Sequence, residues 1–279
     1  MIDVHHLGRE RVIGTWEHDG VLVDPGPEST IETLLAGLGE GFEPRAVLLT
    51  HIHFDHAGAT GRLLERFPGI PVYVHEVGLP HMAHPERLVK SATRLYGEDG
   101  MKELWGEVVP VPEEALHVLT GGETILDGAY RVAYTPGHAS HHVSYLHEET
   151  GTALVGDVAG VRIPPSEIVL APTPPPDIDV EAWKRSIEVV EGWAPERLAL
   201  THFGEVTGDI GAHLDQLRTA LDEEVQMVGE TTQEEFVERH VAMLRERHDE
   251  ETARVYEQAL PPHHIWLGLD RWLSKTSRA

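Results

Sequence analysis

The sequence lacks cysteine, has few basic residues and contains no long apolar run. Without cysteine among its 279 residues, disulfide bonds, thiolate nucleophiles and cysteine-ligated zinc are excluded. Lysine and arginine number 22 against 47 aspartates and glutamates, which gives a net charge of −25 with neutral histidine. This charge repels phosphates, so we expect neither nucleic acid nor an anionic membrane as a partner. No stretch of about 18 apolar residues predicts a membrane-spanning helix.

The first residues also lack the features of a secretory signal. The segment 1–6 has neither a basic flank nor an apolar run. We therefore expect a cytoplasmic protein whose partner is a small-molecule substrate. The hydrophobic content of 41% is sufficient for a packed core, and the length suits one domain with an appendage.

Histidine, in contrast, is abundant, with 20 copies in the chain. Short apolar runs predict buried strands at 46–50, 130–134, 152–155 and 197–201, and histidine or aspartate follows each of them. Groups just beyond the carboxyl ends of strands converge on one crevice in open α/β sheets. We therefore expect seven side chains to lie together: His51, His53, Asp55, His56, His138, Asp157 and His202.

Five imidazoles and two carboxylates are ligands that suit a divalent metal such as zinc. Seven ligands exceed the needs of one tetrahedral ion, whereas two ions about 3.5–4 Å apart that share a carboxylate and a hydroxide would use all of them. Residues two apart in an extended segment, such as His51 and His53, point the same way. We expect two divalent zinc ions, with manganese or iron as alternatives because these ligands accept all three metals.

The run His51-Ile52-His53-Phe54-Asp55-His56, followed by His138, Asp157 and His202, resembles the metallo-β-lactamase-fold superfamily of hydrolases, in its glyoxalase II and lactonase-like branch. The resemblance covers about residues 12–228 and includes the Val23-Asp24-Pro25-Gly26 turn. It implies an α/β fold, the four-layer αββα sandwich of that family. A strand-then-helix rhythm that occurs twice along the chain agrees with two such layers.

The resemblance also implies roles for the ligands. A hydroxide that bridges the two ions would attack an acyl carbonyl, and Asp55 would be the catalytic group that orients it or accepts a proton. The implied activity is hydrolysis of an ester, lactone or thioester. The implied ligand sets are His51, His53 and His138 for one ion and Asp55, His56 and His202 for the other, with Asp157 bridging them.

Two other functions stay open. A sulfur (persulfide) dioxygenase of the same fold binds a single iron through two histidines and one aspartate, which correspond here to His53, His138 and Asp157. The third function is a non-catalytic binding module that recruits a partner through its acidic face. The number of metal ions per chain and oxygen uptake with persulfides separate these functions.

Substrate-binding residues are expected among the histidines near the metal motif. His75 ends a predicted strand. His81 and His84 lie in the mixed segment 79–118, which has helical pieces with breaks at Pro110 and Pro112 and which we expect to form a lid or flap. His142 follows His138 by four residues, which is similar to a Gly-His-x-x-x-His run in quorum-signal lactonases. No glycine-rich phosphate loop or basic cluster identifies the substrate.

Residues 229–279 are predicted to form a C-terminal helical extension of a catalytic domain at 1–228. The run Thr231-Thr232-Gln233-Glu234-Glu235 is a capping-box start for a charged helix. A second helical stretch covers 250–260, and Pro261-Pro262 precedes a tail with Trp266 and Trp272. We expect these helices to pack beside the mouth of the site or to form a homodimer.

Overall fold

Two six-stranded sheets form the centre of the structure, a computed structural model that describes residues 1–276. The first sheet has its strands in chain order, and β3 to β6 run parallel to one another. Its strands are β1 (Ile2–Asp3), β2 (Gly14–His18), β3 (Val21–Val23), β4 (Ala46–Leu48), β5 (Val72–His75) and β6 (Leu116–Leu119).

The second sheet has the order β12-β11-β10-β9-β8-β7, and within it β10 and β11 are parallel while the other neighbours are antiparallel. Its strands are β7 (Thr124–Ile125), β8 (Tyr130–Tyr134), β9 (Val143–His147), β10 (Thr152–Gly156), β11 (Arg197–Leu200) and β12 (Gly204–Val206).

Ten α-helices surround the sheets within the described residues. They are α1 (Ile31–Leu38), α2 (Phe54–Ala57), α3 (Thr60–Arg66), α4 (Leu79–Ala83), α5 (Glu86–Gly100), α6 (Val180–Gly192), α7 (Ile210–Glu230), α8 (Gln233–Arg247), α9 (Glu250–Ala259) and α10 (Pro262–Thr276). A short π-helix, Met101–Trp105, follows α5 directly. None of the helices described in 1–276 is long and apolar enough to cross a membrane.

Alternate residues of the strands belong to two different cores. Val21 and Val23 of β3 pack in one cluster with residues of the second sheet such as Val132 and Tyr145, so this cluster fills the space between the sheets. Leu22, between them in sequence, joins the larger cluster that also includes helix residues such as Trp183. This period of two places one face of each sheet on the other sheet and the opposite face under helices. The predicted four-layer αββα sandwich is confirmed.

The two sheets are tied together at the edge where their ligand-bearing loops emerge. The Val143 amide donates to the Thr50 carbonyl at 2.8 Å, and the Tyr145 hydroxyl donates to the Leu49 carbonyl at 2.7 Å. In a third bond between the sheets, the amide of Gly14 in β2 donates to the carbonyl of Thr201, just after β11, at 2.9 Å. These hydrogen bonds fix the ends of β4 and β11 relative to each other.

The segment 79–118, predicted to combine helical pieces in a flap, is mostly helical. It contains α4, α5 and the π-helix, and it places one face of α5 over the crevice between the sheets. None of the α5 residues is buried, because Leu88, Ala92 and Leu95, which recur at helical spacing, line this crevice instead of packing in the core.

The C-terminal helices pack into the larger core. Phe236, Tyr256 and Leu269 are fully buried there. The Tyr256 hydroxyl donates to the Ile168 carbonyl at 2.6 Å and accepts from the Ile163 amide at 3.0 Å. The predicted capping box at the start of α8 is present. The domain boundary at residue 228 stays a prediction.

Candidate metal centre

The first ligand segment leaves β4, stays extended and then turns into α2. His53 stands immediately before α2 with a ψ of 150°, so the chain is extended up to that residue. His51 and His53 consequently point to the same side, with His51 Nε2 3.0 Å from His53 Nδ1. The turn into α2 brings His56 against the opposite side of His51, with ring centroids 4.0 Å apart.

Three further side chains come from loops that follow β8, β10 and β11 of the second sheet. His138 Nε2 lies 3.0 Å from His53 Nδ1 and 3.2 Å from Asp157 Oδ2. The other carboxylate oxygen, Asp157 Oδ1, lies 3.3 Å from His56 Nε2 and 3.6 Å from His202 Nε2. Asp157 therefore faces both halves of the cluster.

All seven side chains expected at the strand ends lie together. They form three overlapping groups whose ligand atoms are within 4.8 Å of one another: His51, His53 and His138; His51, His56 and Asp157; Asp55, His56 and His202. Nitrogens bound to one tetrahedral zinc ion at 2.0–2.1 Å are about 3.3 Å apart. The 3.0 Å separations of His53 Nδ1 from its two neighbours are close to this spacing.

Backbone carbonyls hold two of the rings from behind. His138 Nδ1 donates to the Pro172 carbonyl at 2.7 Å, and His202 Nδ1 donates to the Val12 carbonyl at 2.6 Å. In the neutral ring each bond places the proton on Nδ1 and leaves Nε2 free to face the cluster as a ligand atom. Metal-binding histidines typically have such a hydrogen bond on the far nitrogen.

Asp24 holds the third ring, and our sequence analysis gave it no such role. It is 1% exposed, in the turn after β3, and its Oδ2 accepts from His56 Nδ1 at 2.8 Å. The same carboxylate accepts from the Thr50 amide at 2.8 Å, the Thr50 hydroxyl at 2.7 Å and the Thr201 hydroxyl at 3.3 Å. The sequence signal for this role was the position of Asp24 directly after β3, the strand that pairs with β4.

Burial and charge divide the histidines into two kinds. Burial lowers the pKa of His51, His53 and His138, that of His53 to about 4, so these rings are neutral near pH 7. Burial acts in the same direction on His56 and His202, but nearby carboxylates, Asp157 foremost, outweigh it and raise the pKa of both. Burial likewise favours the neutral form of Asp157, yet His56 and its neighbours hold the pKa of that carboxyl well below its usual range.

The cluster fits metal ions better than it fits hydrogen bonding within the protein. His56 Nε2 and Asp157 Oδ1 are buried and have no hydrogen-bond partner among the described residues, although they face each other. Buried polar atoms without partners are costly, and a bound ion satisfies both. Imidazole nitrogens and carboxylate oxygens are the ligands that zinc, manganese and iron accept.

The four histidines expected to bind substrate lie in different surroundings. His81 lines the cavity above the cluster. His75 stacks on Tyr134 with ring centroids 4.4 Å apart and is not among the residues that line the cavity. The side chain of His84 is 70% exposed and lies 3.3 Å from Glu113, so it faces solvent instead of the cavity.

His142 lies behind the cluster. Its Nδ1 donates to the Thr135 hydroxyl at 3.0 Å, and its Nε2 accepts from the Asp157 amide at 3.3 Å. The ring is fully buried and is not part of the cavity lining. His142 is thus placed to position Asp157, and it does not reach the cavity where a substrate would bind.

A cavity of about 700 Å³ opens above the cluster, and His53, Asp55, Asp157 and His202 form its floor. Its walls come from α2, α5, the π-helix, the proline-rich loop after β10 and the start of α10. Mostly apolar side chains line it, among them Ile52, Phe54, Leu88, Trp105, Pro174 and Ile265. Such a space suits a substrate with an apolar part.

The sequence analysis did not find the aromatic and basic residues of this wall. Tyr96 contacts Trp105 and His264 edge-on, with ring centroids 5.5 Å and 5.3 Å apart. Arg87 and Arg94 border the same cavity. Only the fold places the segment that carries them over the metal motif.

A profile of the family described as the metallo-beta-lactamase superfamily matches residues 17–202. The chain belongs to this superfamily. The matched range contains all seven clustered side chains and the strands from β3 to β11.

Curated relatives include a protein named as a probable metallo-hydrolase and one named for the metallo-beta-lactamase fold. Probable metallo-hydrolase YflN of Bacillus subtilis is 30% identical over 218 residues, which cover 68% of this chain and 78% of that protein. Metallo-beta-lactamase fold-containing protein ST1585 of Sulfurisphaera tokodaii is 33% identical over 205 residues, which cover 65% of this chain and 68% of that protein. The expected assignment as a metal-dependent hydrolase is confirmed at this level.

Solved structures of the superfamily share the fold. ST1585 superposes with a TM-score of 0.61 at 21% identity and covers 90% of this chain and 88% of its own. TTHA1623, described in a di-iron-bound form, has a TM-score of 0.56 at 29% identity and covers 74% of this chain and 93% of its own.

Proposed function

We propose that the chain is a dinuclear metal-dependent hydrolase that cleaves an ester, lactone or thioester and holds the acyl part in the apolar cavity. The observation that carries this proposal is that seven ligand-type side chains lie together in overlapping groups, and that four of them form the cavity floor. Separate groups on either side of Asp157 favour two ions over one.

The two proposed sets follow the geometry. His51, His53 and His138 would hold one ion, Asp55, His56 and His202 the other, and Asp157 would contact both. Zinc is the first expectation, with manganese or iron as alternatives. The di-iron form of TTHA1623, at 29% identity, supports iron as an alternative.

Bound there, two divalent ions would supply a hydroxide nucleophile at neutral pH and positive charge for the developing oxyanion. Asp55 is the proposed catalytic carboxylate, because its side chain is 24% exposed and lines the cavity while that of Asp157 is 4% exposed. His202 Nε2, 3.4 Å from Asp55 Oδ2, helps to orient this carboxylate. The apolar walls exclude water from the acyl part.

The two alternative functions find less support. A persulfide dioxygenase with a single iron gives no reason for the second group of Asp55, His56 and His202. A non-catalytic binding module gives no reason for an intact ligand set below a cavity, and the relative YflN is named as a probable metallo-hydrolase.

Metal content per chain tests the proposal. Protein purified without added metal or a histidine tag should contain about two divalent ions by elemental analysis, and metal-dependent hydrolysis should appear in a screen of lactones, thioesters and aryl esters. His51→Ala and Asp157→Ala should each lose metal and lower hydrolysis at least about 100-fold. His18→Ala is the control, because its side chain is 42% exposed and remote from the cavity lining.

Two results would contradict the proposal. One is a single iron per chain together with oxygen uptake on persulfides. The other is unchanged metal content and unchanged hydrolysis in His51→Ala and Asp157→Ala.

A further inference from the structure

One face of α5 forms a wall of the cavity and carries two arginines. Arg87, Ser91 and Arg94 line the cavity, and their spacing of four and then three residues places them on the same side of the helix. The rise of a helix separates Arg87 from Arg94 by about 10 Å along the axis. Leu88 and Leu95, beside them in sequence, add apolar surface to this wall.

These arginines have no acidic partner although the chain is strongly acidic. Arg62 is paired with three glutamates, and Arg218 is paired with a glutamate and an aspartate. Within residues 1–276, no carboxylate lies within ion-pair distance of Arg87 or Arg94. No carboxylate of the described residues therefore neutralises these two charges, which face the cavity and can reach a ligand there.

Among the described residues, Arg87 and Arg94 are the only arginines or lysines that line the cavity. A negatively charged ligand in the cavity therefore has these two side chains of α5 as its arginine or lysine contacts. The Asp177 carboxylate, also in the lining, accepts from the Ser140 hydroxyl at 2.7 Å. The cavity therefore has ligand groups at its floor, apolar walls and a cationic rim on α5.

We propose that Arg87 and Arg94 bind an oxyanion, a carboxylate or a phosphate, at the end of the substrate distant from the bond that is cleaved. The guanidinium group presents donors in a planar fork that matches either oxyanion. This inference rests on the proposed function, because it assigns the cleaved carbonyl to the floor and the apolar chain to the walls. The substrate class is then an acyl ester, lactone or thioester with an anionic end.

Binding of non-hydrolysable ketones tests the inference independently of turnover. The probes are 8-oxononanoate, the phosphonate of the same length and the neutral 8-oxononanamide, titrated calorimetrically into zinc-loaded protein. Wild type should bind an anionic ketone about tenfold more tightly than the amide, since exposed ion pairs contribute up to about fivefold each. The preference should decrease at high salt. Whichever of the carboxylate and the phosphonate binds more tightly indicates whether the substrate carries a carboxylate or a phosphate.

Two variants locate the effect. The double variant Arg87→Gln with Arg94→Gln should abolish the preference for the anion and leave binding of the amide unchanged. Arg185→Gln is the matched control, because Arg185 is exposed on α6, has no ion pair in the described part of the chain and does not line the cavity. In hydrolysis, the double variant should raise KM about tenfold for the 4-nitrophenyl monoester of suberic acid and not for its ω-amide.

Each remaining outcome has a definite meaning. Equal binding of anion and amide by wild type would overturn the inference. So would a preference that survives in the double variant, since the anion would then bind at the metal ions. A preference that depends on the arginines, without metal-dependent hydrolysis of either ester, would uphold the anion site and overturn the proposed hydrolase function.

Discussion

Asp24 shows how far the metal centre depends on a residue outside the ligand groups. One buried carboxylate orients His56 and binds Thr50 and Thr201, which stand just before ligands of the two different sheets. Its φ of 51° lies in the left-handed region, which aspartate and asparagine tolerate better than most residues.

Asp24→Asn should therefore weaken metal binding and keep the fold. Asparagine tolerates the same backbone conformation, but its amide cannot match the charge that holds His56. We expect the dissociation constant of the metal to rise about 10–100-fold, measured by competition with a chelator. The control is Asp19→Asn, which has a φ of 48° and a side chain that is 78% exposed. Equal effects of the two substitutions would show that Asp24 acts through the backbone alone.

Glu224, on α7, is a second buried carboxyl group, and it makes the stability of the fold depend on pH. It is 4% exposed, and burial raises its pKa well above the usual value while the Ala171 amide acts in the opposite direction. Because the folded pKa exceeds the unfolded one, its contribution to stability is fully present below the unfolded pKa. It is lost as the pH rises from there through the folded pKa.

Glu224→Gln should remove this pH dependence. We expect the variant to gain more than about 1 kcal/mol relative to wild type between pH 5 and pH 8, since one unit of pKa shift corresponds to 1.36 kcal/mol. Urea unfolding at both pH values measures this gain. Glu223→Gln, at an exposed neighbouring position, should show little change. A parallel pH profile for wild type and Glu224→Gln would contradict the assignment.

The clustering of the seven candidate ligands could be predicted from the sequence, whereas the residues that support them could not. His51, His53 and His56 stand in one short run after a strand, where local spacing is informative. The bonds of Asp24 to Thr201 and of His138 to Pro172 connect residues that are distant in sequence. Such partners depend on how the two sheets pack, which no local pattern encodes.

At the scale of elements, the contact between α10 and the proline-rich loop shapes the cavity. A Cβ added to Gly268 would lie 1.9 Å from the Thr173 carbonyl oxygen, so the backbones meet there without room for a side chain. Thr173 and Pro174 line the cavity, and Thr173 also donates its hydroxyl to the Ile265 carbonyl at 3.3 Å.

Gly268→Ala should displace this wall. We expect a loss of about 1–3 kcal/mol in the free energy of unfolding, together with a higher KM, because the loop must move away from α10. The matched control is Gly229→Ala on α7, where a Cβ meets nothing within 4 Å, and this change should add up to about 1 kcal/mol. Unchanged stability and kinetics in Gly268→Ala would show that the loop yields without affecting the cavity.

Elements were predicted with the right bounds where their apolar residues are buried in the core. The strands predicted at 130–134 and 152–155 correspond to β8 (Tyr130–Tyr134) and β10 (Thr152–Gly156). Helical pieces were expected in 79–118, but the bounds of α5 were not predicted, because its apolar side chains line a cavity instead of packing in the core.

At the scale of the whole molecule, the C-terminal helices complete both the core and the cavity. Phe236, Tyr256 and Leu269 are buried in the larger core, and His264 and Ile265 line the cavity. Each large apolar side chain contributes about 1.5–3 kcal/mol when buried. The predicted boundary at residue 228 therefore separates segments that share one core.

Truncation after Val228 should abolish cooperative unfolding or cause aggregation, which light scattering and urea unfolding can detect. Tyr256→Phe is a milder companion change, because it removes only the hydroxyl that contacts Ile163 and Ile168, and it should cost about 1–2 kcal/mol. If the truncated chain were a stable monomer with unchanged kinetics, the helices would have neither a core nor a cavity role. A dimer found only for the full chain would support the expected homodimer.

The order of the ligands along the chain also sets when the site can form during synthesis. Chains are made from the amino terminus at about 5–20 residues per second, and early segments emerge first. The first four ligand residues are complete by His56, but His202 follows 11 strands, and the cavity wall near Ile265 comes later still. A nascent chain thus carries an incomplete metal cluster for most of its translation. The seven side chains can therefore come together as a complete set only after β11 has joined its sheet, and the enclosed cavity forms last of all.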